Sequence, residues 1–155
     1  MSDADNLATD NRTMVIERII AAPVAAVWAA WTDPKALPQW WGPEGFSCRT
    51  TRIDLRDGGE WVFDMIGPDG TVYPNHHHGI RHRPMTGIDY TLLWGENGPK
   101  HADASARFED LGGRTKVTLS MTFVTAEECE TAKGFGAVEL GLETLGKLAA
   151  HIGAA

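Results

Sequence analysis

The sequence predicts an α+β fold: a curved antiparallel sheet of about six to seven strands around a long C-terminal helix, with two short helices after the first strand. Three patterns lead to this prediction. A β-branched run opens the fold at residues 15–20, residues 46–123 alternate between apolar and polar positions, and residues 126–152 have helical spacing. A curved sheet wrapped around a helix would bury the apolar face of each.

The first elements are predicted from residue types. Residues 1–12 are polar, so we expect a disordered tail before a single domain over residues 13–152. The β-branched run after the tail predicts a strand. Pro23 suits the first position of a helix that continues to Trp31. Asp33, as a cap, begins a second short helix that ends near Trp40.

Four stretches then show a period of two, which is typical of antiparallel strands with one dry face and one wet face. Their apolar positions are Trp61, Phe63 and Met65; Ile88, Tyr90, Leu92 and Trp94; Ala102, Ala104, Ala106 and Phe108; and Val117, Leu119, Met121 and Phe123. The sequence GPDG at residues 67–70 and the glycine pair at residues 112–113 predict turns between strands.

The last segment has one apolar stripe at steps of three and four residues, which predicts a helix over residues 126–152. The stripe consists of Phe135, Val138, Leu142, Leu145, Ala149 and Ile152. The segment also contains Gly134, Gly136, Gly141 and Gly146. Each glycine inside a helix costs about 1 kcal/mol relative to alanine, so these glycines indicate either a close approach by the sheet or space beside the helix.

Charge and composition exclude several classes of partner. The chain has 155 residues, with 14 Lys and Arg against 21 Asp and Glu, and a net charge of −7. An acidic chain repels phosphate backbones and anionic lipids, so we expect neither nucleic acid nor a membrane as partner. Cys48 and Cys129 form no C-x-x-C pair, which favours two reduced thiols. The first residues do not resemble a signal peptide, and we expect a cytoplasmic protein.

The first candidate site is a cavity between the C-terminal helix and the sheet. The alanines of one strand lie beside large residues of its neighbours, which favours a void. Its expected lining is Trp61, Phe63, Met65, Trp94, Phe135 and Val138. Such a void would suit a small apolar ligand. The alternative is that the small residues simply allow helix and sheet to pack tightly.

The second candidate is the histidine tract at residues 76–78 together with His82. On a regular strand His76, His78 and His82 share one face, and three imidazoles could bind zinc, copper or nickel. We favour the alternative of a strand end with ring tips in water, because Pro74 disrupts regular pairing nearby. A third interpretation makes one histidine a polar anchor, or a general acid or base, at the mouth of the cavity.

Other polar and aromatic residues give weaker signals. Arg107 and Glu139 lie off the apolar faces and are expected in solvent, whereas Tyr90 has core parity and needs a partner for its hydroxyl if buried. Adjacent Trp40 and Trp41 cannot both point into one core, so we expect one to pack and the other to line or cover an opening. No G-x-S-x-G elbow and no phosphate-binding glycine loop occurs in the sequence.

Together these residues resemble the SRPBCC superfamily (START and Bet v 1-like domains), and within it the homologues of the activator of the heat-shock-protein-90 ATPase. The matching stretches are AP at residues 22–23, VW at 27–28, AWTDP at 30–34, WWGP at 40–43, GF at 45–46, DLRDGG at 54–59, GPDG at 67–70, YP at 73–74, the strand at 115–119, and Thr144, Leu145 and Leu148. The resemblance covers roughly residues 13–152 and implies a helix-grip fold.

The resemblance implies a hydrophobic cavity between helix and sheet, as in carriers, polyketide cyclases and oxygenase subunits of the superfamily. Chaperone activators carry an additional N-terminal domain, so we do not expect ATPase activation from this chain. Relatives have apolar and acidic residues where this sequence has His78, Arg81 and His82. This difference predicts a more polar site, in which His78 meets the anionic or hydrogen-bonding end of an apolar ligand.

We therefore expect a domain that binds a small hydrophobic ligand between the sheet and the C-terminal helix. The alternatives are a cavity-based enzyme of polyketide-cyclase or hydrolase type and a chaperone-interacting or stress-response protein. The expected ligand-binding residues are Trp41, Phe46, Trp61, Phe63, Met65, His78, Tyr90, Trp94, Phe135, Val138 and Leu142. We expect no catalytic residue, no metal and no cofactor. The expected partner is a small apolar ligand, and a homodimer and a chaperone partner are left open.

Overall fold

The computed structural model describes residues 11–153, so most of the predicted tail lies outside the described residues. In chain order the elements are β1 (Thr13–Ile20), α1 (Val24–Thr32), α2 (Leu37–Trp40), β2 (Ser47–Asp54), β3 (Gly59–Ile66), β4 (Val72–Arg83), β5 (Gly87–Leu93), β6 (Lys100–Asp110), β7 (Thr115–Phe123), α3 (Ala126–Gly134) and α4 (Ala137–His151). The strands form one antiparallel sheet in the order β1-β7-β6-β5-β4-β3-β2. This confirms the predicted α+β, helix-grip class.

The sheet has an inner face, toward the helices, and an outer face. The apolar positions of the alternating stretches lie on the inner face, where Trp61, Phe63, Ala102 and Ala106 are buried. Because β1 pairs with β7, the chain crosses from one sheet edge to the other between β1 and β2. The short helices α1 and α2 lie in this crossing and cover part of the inner face.

The predicted single C-terminal helix is two helices. The break lies at Gly136, which adopts a left-handed conformation with φ 83°, and α4 begins one residue later. A side chain rarely adopts this conformation, so glycine allows the turn. The break takes Phe135 off the apolar stripe, and its side chain is 80% exposed.

The glycines of α4 allow close packing rather than space. The helix packs on β1, and a Cβ atom at Gly141 would overlap the side chain of buried Ile16. A Cβ atom at Gly146 would lie 3.0 Å from a guanidinium nitrogen of Arg18. Tight packing, one of the two interpretations of these glycines, therefore applies where α4 meets the first strand.

The short helices begin later than predicted. Pro23 is the cap of α1 rather than its first residue, since its ψ of 151° is extended. Asp33 ends α1, and its carboxylate accepts a hydrogen bond from the Lys35 amide at 2.9 Å, which forms a turn. The second helix then starts at Leu37. Both cysteines are free thiols, and no helix within residues 11–153 is long and apolar enough to span a bilayer.

Candidate functional site

Aromatic rings converge on the inner face beneath α1 and α2. This inner aromatic cluster consists of Trp31, Trp40, Trp41, Trp61, Phe63, His77 and Tyr90. Within it Trp61 stacks on Phe63 at a centroid distance of 3.6 Å. The indole of Trp40 is fully buried and donates to the carbonyl of Ala30 at 3.1 Å, which fixes α2 against α1.

His77 lies at the centre of the inner aromatic cluster. Its imidazole stacks on Tyr90 at 4.0 Å and meets Trp61, Phe63 and Trp41 edge-on at centroid distances of 5.1 to 5.4 Å. The side chain is only 5% exposed. Burial, assisted by the charge of nearby His76, lowers the pKa of His77 to about 3, so its imidazole is neutral at physiological pH.

The polar atoms of this cluster have few partners. Among residues 11–153, no side chain or backbone group forms a hydrogen bond with either ring nitrogen of His77 or with the hydroxyl of Tyr90. Burial also raises the pKa of Tyr90, so that its hydroxyl keeps its proton. Two neutral groups that can donate and accept hydrogen bonds thus lie among apolar rings, and neither counts as a buried polar atom cut off from solvent, since Tyr90 is partly exposed and His77 is 5% exposed.

A small cavity adjoins these polar groups. Its volume is about 20 Å³, and it is lined by Trp31, Leu37, Leu55, His77, Ile80, His82, Ile88 and Tyr90. This volume holds about one water molecule. The cavity lies beside α1 and α2, whereas a larger cavity beside the C-terminal helix was expected. A ligand larger than water has to displace the surrounding side chains.

One border of the cluster is a loop tied to α4. The segment between α2 and β2 begins at Trp41, and the ammonium group of Lys147 donates to the carbonyls of Pro43 and Phe46 at 3.2 and 3.1 Å. The amide of Glu44 donates to the carboxylate of Glu143 at 3.1 Å. Because this loop carries Trp41, its contacts with α4 help to fix Trp41 in the inner aromatic cluster.

The structure brings part of the expected site together. Trp41, Trp61, Phe63 and Tyr90 belong to the inner aromatic cluster. Met65 and Val138 are partly buried against the core, and Phe46 contacts Tyr73 at 5.9 Å. These contacts give positions only, and whether any of these residues binds a ligand stays a prediction.

Four expected residues lie elsewhere. The side chain of Trp94 is 56% exposed beyond the end of β5, Phe135 is exposed at the helix break, and Leu142 is partly exposed on α4. His78 is exposed on the outer face of β4, opposite Thr91 of β5. The expected position of His78 in the cavity is therefore wrong, because the side chain of its neighbour His77 is the one that points to the inner face.

A β-bulge explains the arrangement of the histidine tract. Gly79, with φ 64°, and Ile80 together face the single Tyr90 across β4 and β5. The extra residue reverses the alternation, so His76 and His78 lie on the outer face while His77 and His82 lie on the inner face. The expectation that His82 shares a face with His76 and His78 is wrong for this reason. The pairing of His77 with Trp61 identifies the residue that sequence reasoning missed.

Two other polar residues lie in solvent, as expected. Arg107 is exposed and forms an ion pair with Asp89 at 2.8 Å. Glu139 is exposed in the first turn of α4. Neither lines the small cavity.

An antiparallel sheet of seven strands against a C-terminal helix, with two short helices after the first strand, defines a helix-grip domain. The chain belongs to the family described as "Activator of Hsp90 ATPase homolog 1-like protein", which matches residues 21–153. No protein with a curated description matches the sequence significantly.

Solved structures of similar proteins support this assignment. Protein Ms6760 from Mycobacterium smegmatis is 26% identical, with a TM-score of 0.82 over 94% of this chain and 93% of that one. A protein from Arthrobacter aurescens is 25% identical, with a TM-score of 0.79 over 94% and 88%. The AHSA1 protein from Silicibacter pomeroyi is 25% identical, with a TM-score of 0.69 over 91% and 97%.

Proposed function

We propose that this protein binds a small, neutral, mainly apolar ligand with one hydrogen-bonding group in the inner aromatic cluster. The observation that carries the proposal is His77, a neutral imidazole without a hydrogen-bond partner among residues 11–153, enclosed by aromatic rings. Domains of this fold commonly bind hydrophobic ligands, which supports the same assignment.

The chemistry of the cage selects the ligand class. The rings of Trp41, Trp61 and Phe63 offer apolar surface and edge-to-face contacts to an aromatic or polycyclic ligand. His77 and Tyr90 offer a neutral donor or acceptor. The anionic end of a ligand gains no ion pair from a histidine that stays neutral. We therefore propose His77, instead of His78, as the residue that anchors the ligand, and a hydroxyl or carbonyl group, instead of an anion, as the group that it binds.

Binding requires the cage to open. The small cavity has room for about one water, which a ligand's polar atom would replace beside His77. The loop that Lys147 ties to α4 carries Trp41 and borders the cage, so we propose that its movement admits the ligand. The present form, whose cavity is too small for such a ligand, is then the unliganded member of a two-state equilibrium.

The test compares three probes of similar size: 1-naphthol, naphthalene and 1-naphthoate. Calorimetric titration at pH 7 should give one site, with naphthol bound about tenfold more tightly than naphthalene, because one buried hydrogen bond contributes roughly 1.4 kcal/mol. The naphthoate anion should bind more weakly than naphthol because its charge loses solvent without gaining a counterion.

Matched variants assign this preference to a residue. The substitution His77→Phe should remove the preference for naphthol over naphthalene, and His77→Leu provides a second variant if phenylalanine overfills the cage. The control is His78→Phe, the same change on the outer face of the same strand, which should leave all three affinities unchanged. Equal affinities for naphthol and naphthalene in the natural protein, or a preference that survives both His77 variants, would contradict the proposal.

A second candidate function is catalysis in the same cavity, and one contact favours it. His82 lines the cavity, its amide donates to Asp57 at 2.7 Å, and its Nδ1 lies 3.8 Å from the same carboxylate oxygen. A histidine beside a carboxylate at the edge of a cavity brings together two groups that carry general acid–base chemistry, although the 3.8 Å separation is too long for a hydrogen bond between the ring and the carboxylate. Native mass spectrometry of the protein prepared without a histidine tag separates the two functions. A binding protein releases its co-purified ligand unchanged, whereas an enzyme converts it to a product. If the protein is an enzyme, the His82→Ala variant should lose this turnover.

A further inference from the structure

We propose that Glu60, His76 and His78 form a binding site for a divalent transition metal ion on the outer face of the sheet, for which Zn²⁺ is the best-fitting ion. This site is separate from the inner aromatic cluster, because the histidines that form it point away from the cage.

The register of two adjacent strands brings the three side chains together. Glu60 of β3 pairs directly with His78 of β4, and His76 lies two residues away on the same face. One ligand atom from each residue lies within 4.8 Å of the others. Nε2 of His76 is already 2.8 Å from the Glu60 carboxylate, and the two imidazoles lie 5.3 Å apart at 82°.

Small side-chain movements complete the coordination geometry. Tetrahedral zinc with Zn–N and Zn–O distances of about 2.0–2.2 Å places its ligand atoms roughly 3.5 Å apart. His78 is exposed and Glu60 is partly exposed, so both can rotate toward an ion, while His76 is fully buried and fixed. Two imidazoles and one carboxylate are a ligand set for zinc and its neighbours in the first transition row, with a fourth position open to water.

The charges around the cluster favour a cation. Arg52 forms ion pairs with Glu60 at 3.3 Å and with Glu96 at 2.6 Å. One guanidinium thus serves two carboxylates, which leaves a net negative charge beside the histidines. A divalent ion would compete with Arg52 for Glu60, while Glu96 keeps its own pairing.

The metal-free tautomer of His76 couples the site to a turn. The amide of Asn97 donates to Nδ1 of His76 at 3.0 Å, so Nε2 carries the proton and donates it to Glu60. An ion bound at Nε2 displaces that proton. The ring stays neutral when Nδ1 takes up a proton, and the Asn97 amide must then turn away. Asn97 has a φ of 55°, and the turn at residues 94–99 connects β5 with β6. Metal binding therefore breaks the hydrogen bond between this turn and His76, while the turn keeps its own backbone hydrogen bonds.

The test is a Zn²⁺ titration of the full chain without a histidine tag, with Co²⁺ as a spectroscopic probe. We expect one ion per chain and a visible absorption band typical of tetrahedral Co²⁺. His78→Ala and Glu60→Gln should each weaken binding at least about tenfold, since each removes a ligand. His82→Ala removes a histidine of the same tract that faces inward, and should leave the affinity unchanged.

Three results would overturn the assignment. The first is no Zn²⁺ binding up to millimolar concentration. The second is equal loss of binding in His82→Ala and His78→Ala, which would mean that mobile histidines collect the ion. The third is an unchanged NMR signal of the Asn97 amide on saturation with Zn²⁺, because an ion on Nε2 of His76 has to break that hydrogen bond.

Discussion

The imidazole of His77 lies face to face with the ring of Tyr90, with centroids 4.0 Å apart and planes 17° apart. Its neighbour His76 is completely buried on the other face of the sheet, with hydrogen bonds at both ring nitrogens. Strand alternation therefore places consecutive histidines in two environments. One face holds a neutral imidazole that forms no hydrogen bond within residues 11–153, and the other holds a polar network with the residues that we propose as metal ligands.

The low pKa of His77 predicts a pH-dependent stability. Its pKa is about 3 in the folded protein, through burial and then the charge of His76, against about 6.5 in an unfolded chain. Between these two pKa values the imidazole of His77 is protonated in the unfolded chain but not in the folded protein. Protonation of His77 in the unfolded chain therefore lowers the free energy of unfolding as the pH falls. The effect is absent above about pH 6.5 and grows toward pH 3, with a slope of at most about 1.4 kcal/mol per pH unit.

Urea unfolding at pH 7, 6, 5 and 4 measures this slope. Comparison with His77→Phe isolates it, since the other titrating groups are common to both proteins. The difference in the free energy of unfolding should widen in favour of the variant as the pH falls. A difference that stays constant over this range would show that His77 titrates normally in the folded protein.

The contact between α4 and β1 predicts that the effect of Gly141→Ala on stability changes sign with the residue at position 16. Gly141→Ala should destabilise the natural protein by about 1 kcal/mol, because the new methyl group overlaps the δ-methyl group of buried Ile16. In an Ile16→Val background that group is gone, and the next atom of residue 16 lies 3.5 Å from the new methyl carbon. Gly141→Ala should then stabilise the protein by up to about 1 kcal/mol through its helix propensity.

A double-mutant cycle by urea unfolding measures this coupling. Gly134→Ala is the matched control, since a Cβ atom there meets no atom of residues 11–153 within 4 Å and the effect should be independent of residue 16. Additive effects of the Gly141 and Ile16 substitutions would contradict the packing described here.

Cys48 should react slowly. Burial raises the pKa of its thiol to about 11 despite the nearby charge of Lys147, and the thiol donates to the carbonyl of Trp41 at 3.5 Å. A rise of two pKa units lowers the thiolate fraction at pH 8 about 100-fold. With Cys129→Ala as background, a disulfide reagent should modify Cys48 at least about 100-fold more slowly in the folded protein than in urea. Equal rates would show that the region around the loop opens freely.

Sequence patterns predicted the sheet because period-two alternation runs through β5, β6 and β7, with one register shift between β5 and β6 at Leu93. They failed on β4, where neither parity stands out: both His76 and His77 are buried, while Val72 and Pro74 are exposed. Only the pairing of β4 with Trp61 and the bulge at Gly79 determine which histidines face inward. Register is a property of two strands, and a single strand does not encode it.

The C-terminal helix shows a second limit. Helical spacing is the same for one helix and for two that follow each other, so the apolar stripe concealed the break at Gly136. The glycine itself was the available signal, since a left-handed residue ends a helix. The volume of the cavity had no signal in the sequence, because it depends on how Trp31, Leu37 and the strand residues pack together.

We propose that His77 serves ligand recognition at a cost to the stability of the free protein. The most direct test is the free energy of unfolding of His77→Phe at pH 7 without ligand, with His77→Leu beside it. At least one variant should be more stable than the natural protein by about 1 kcal/mol, because an apolar side chain replaces an imidazole that no group within residues 11–153 hydrogen-bonds. If both variants lose 1 kcal/mol or more, His77 stabilises the free protein, and the proposed cost of keeping a polar ring in the inner aromatic cluster is contradicted.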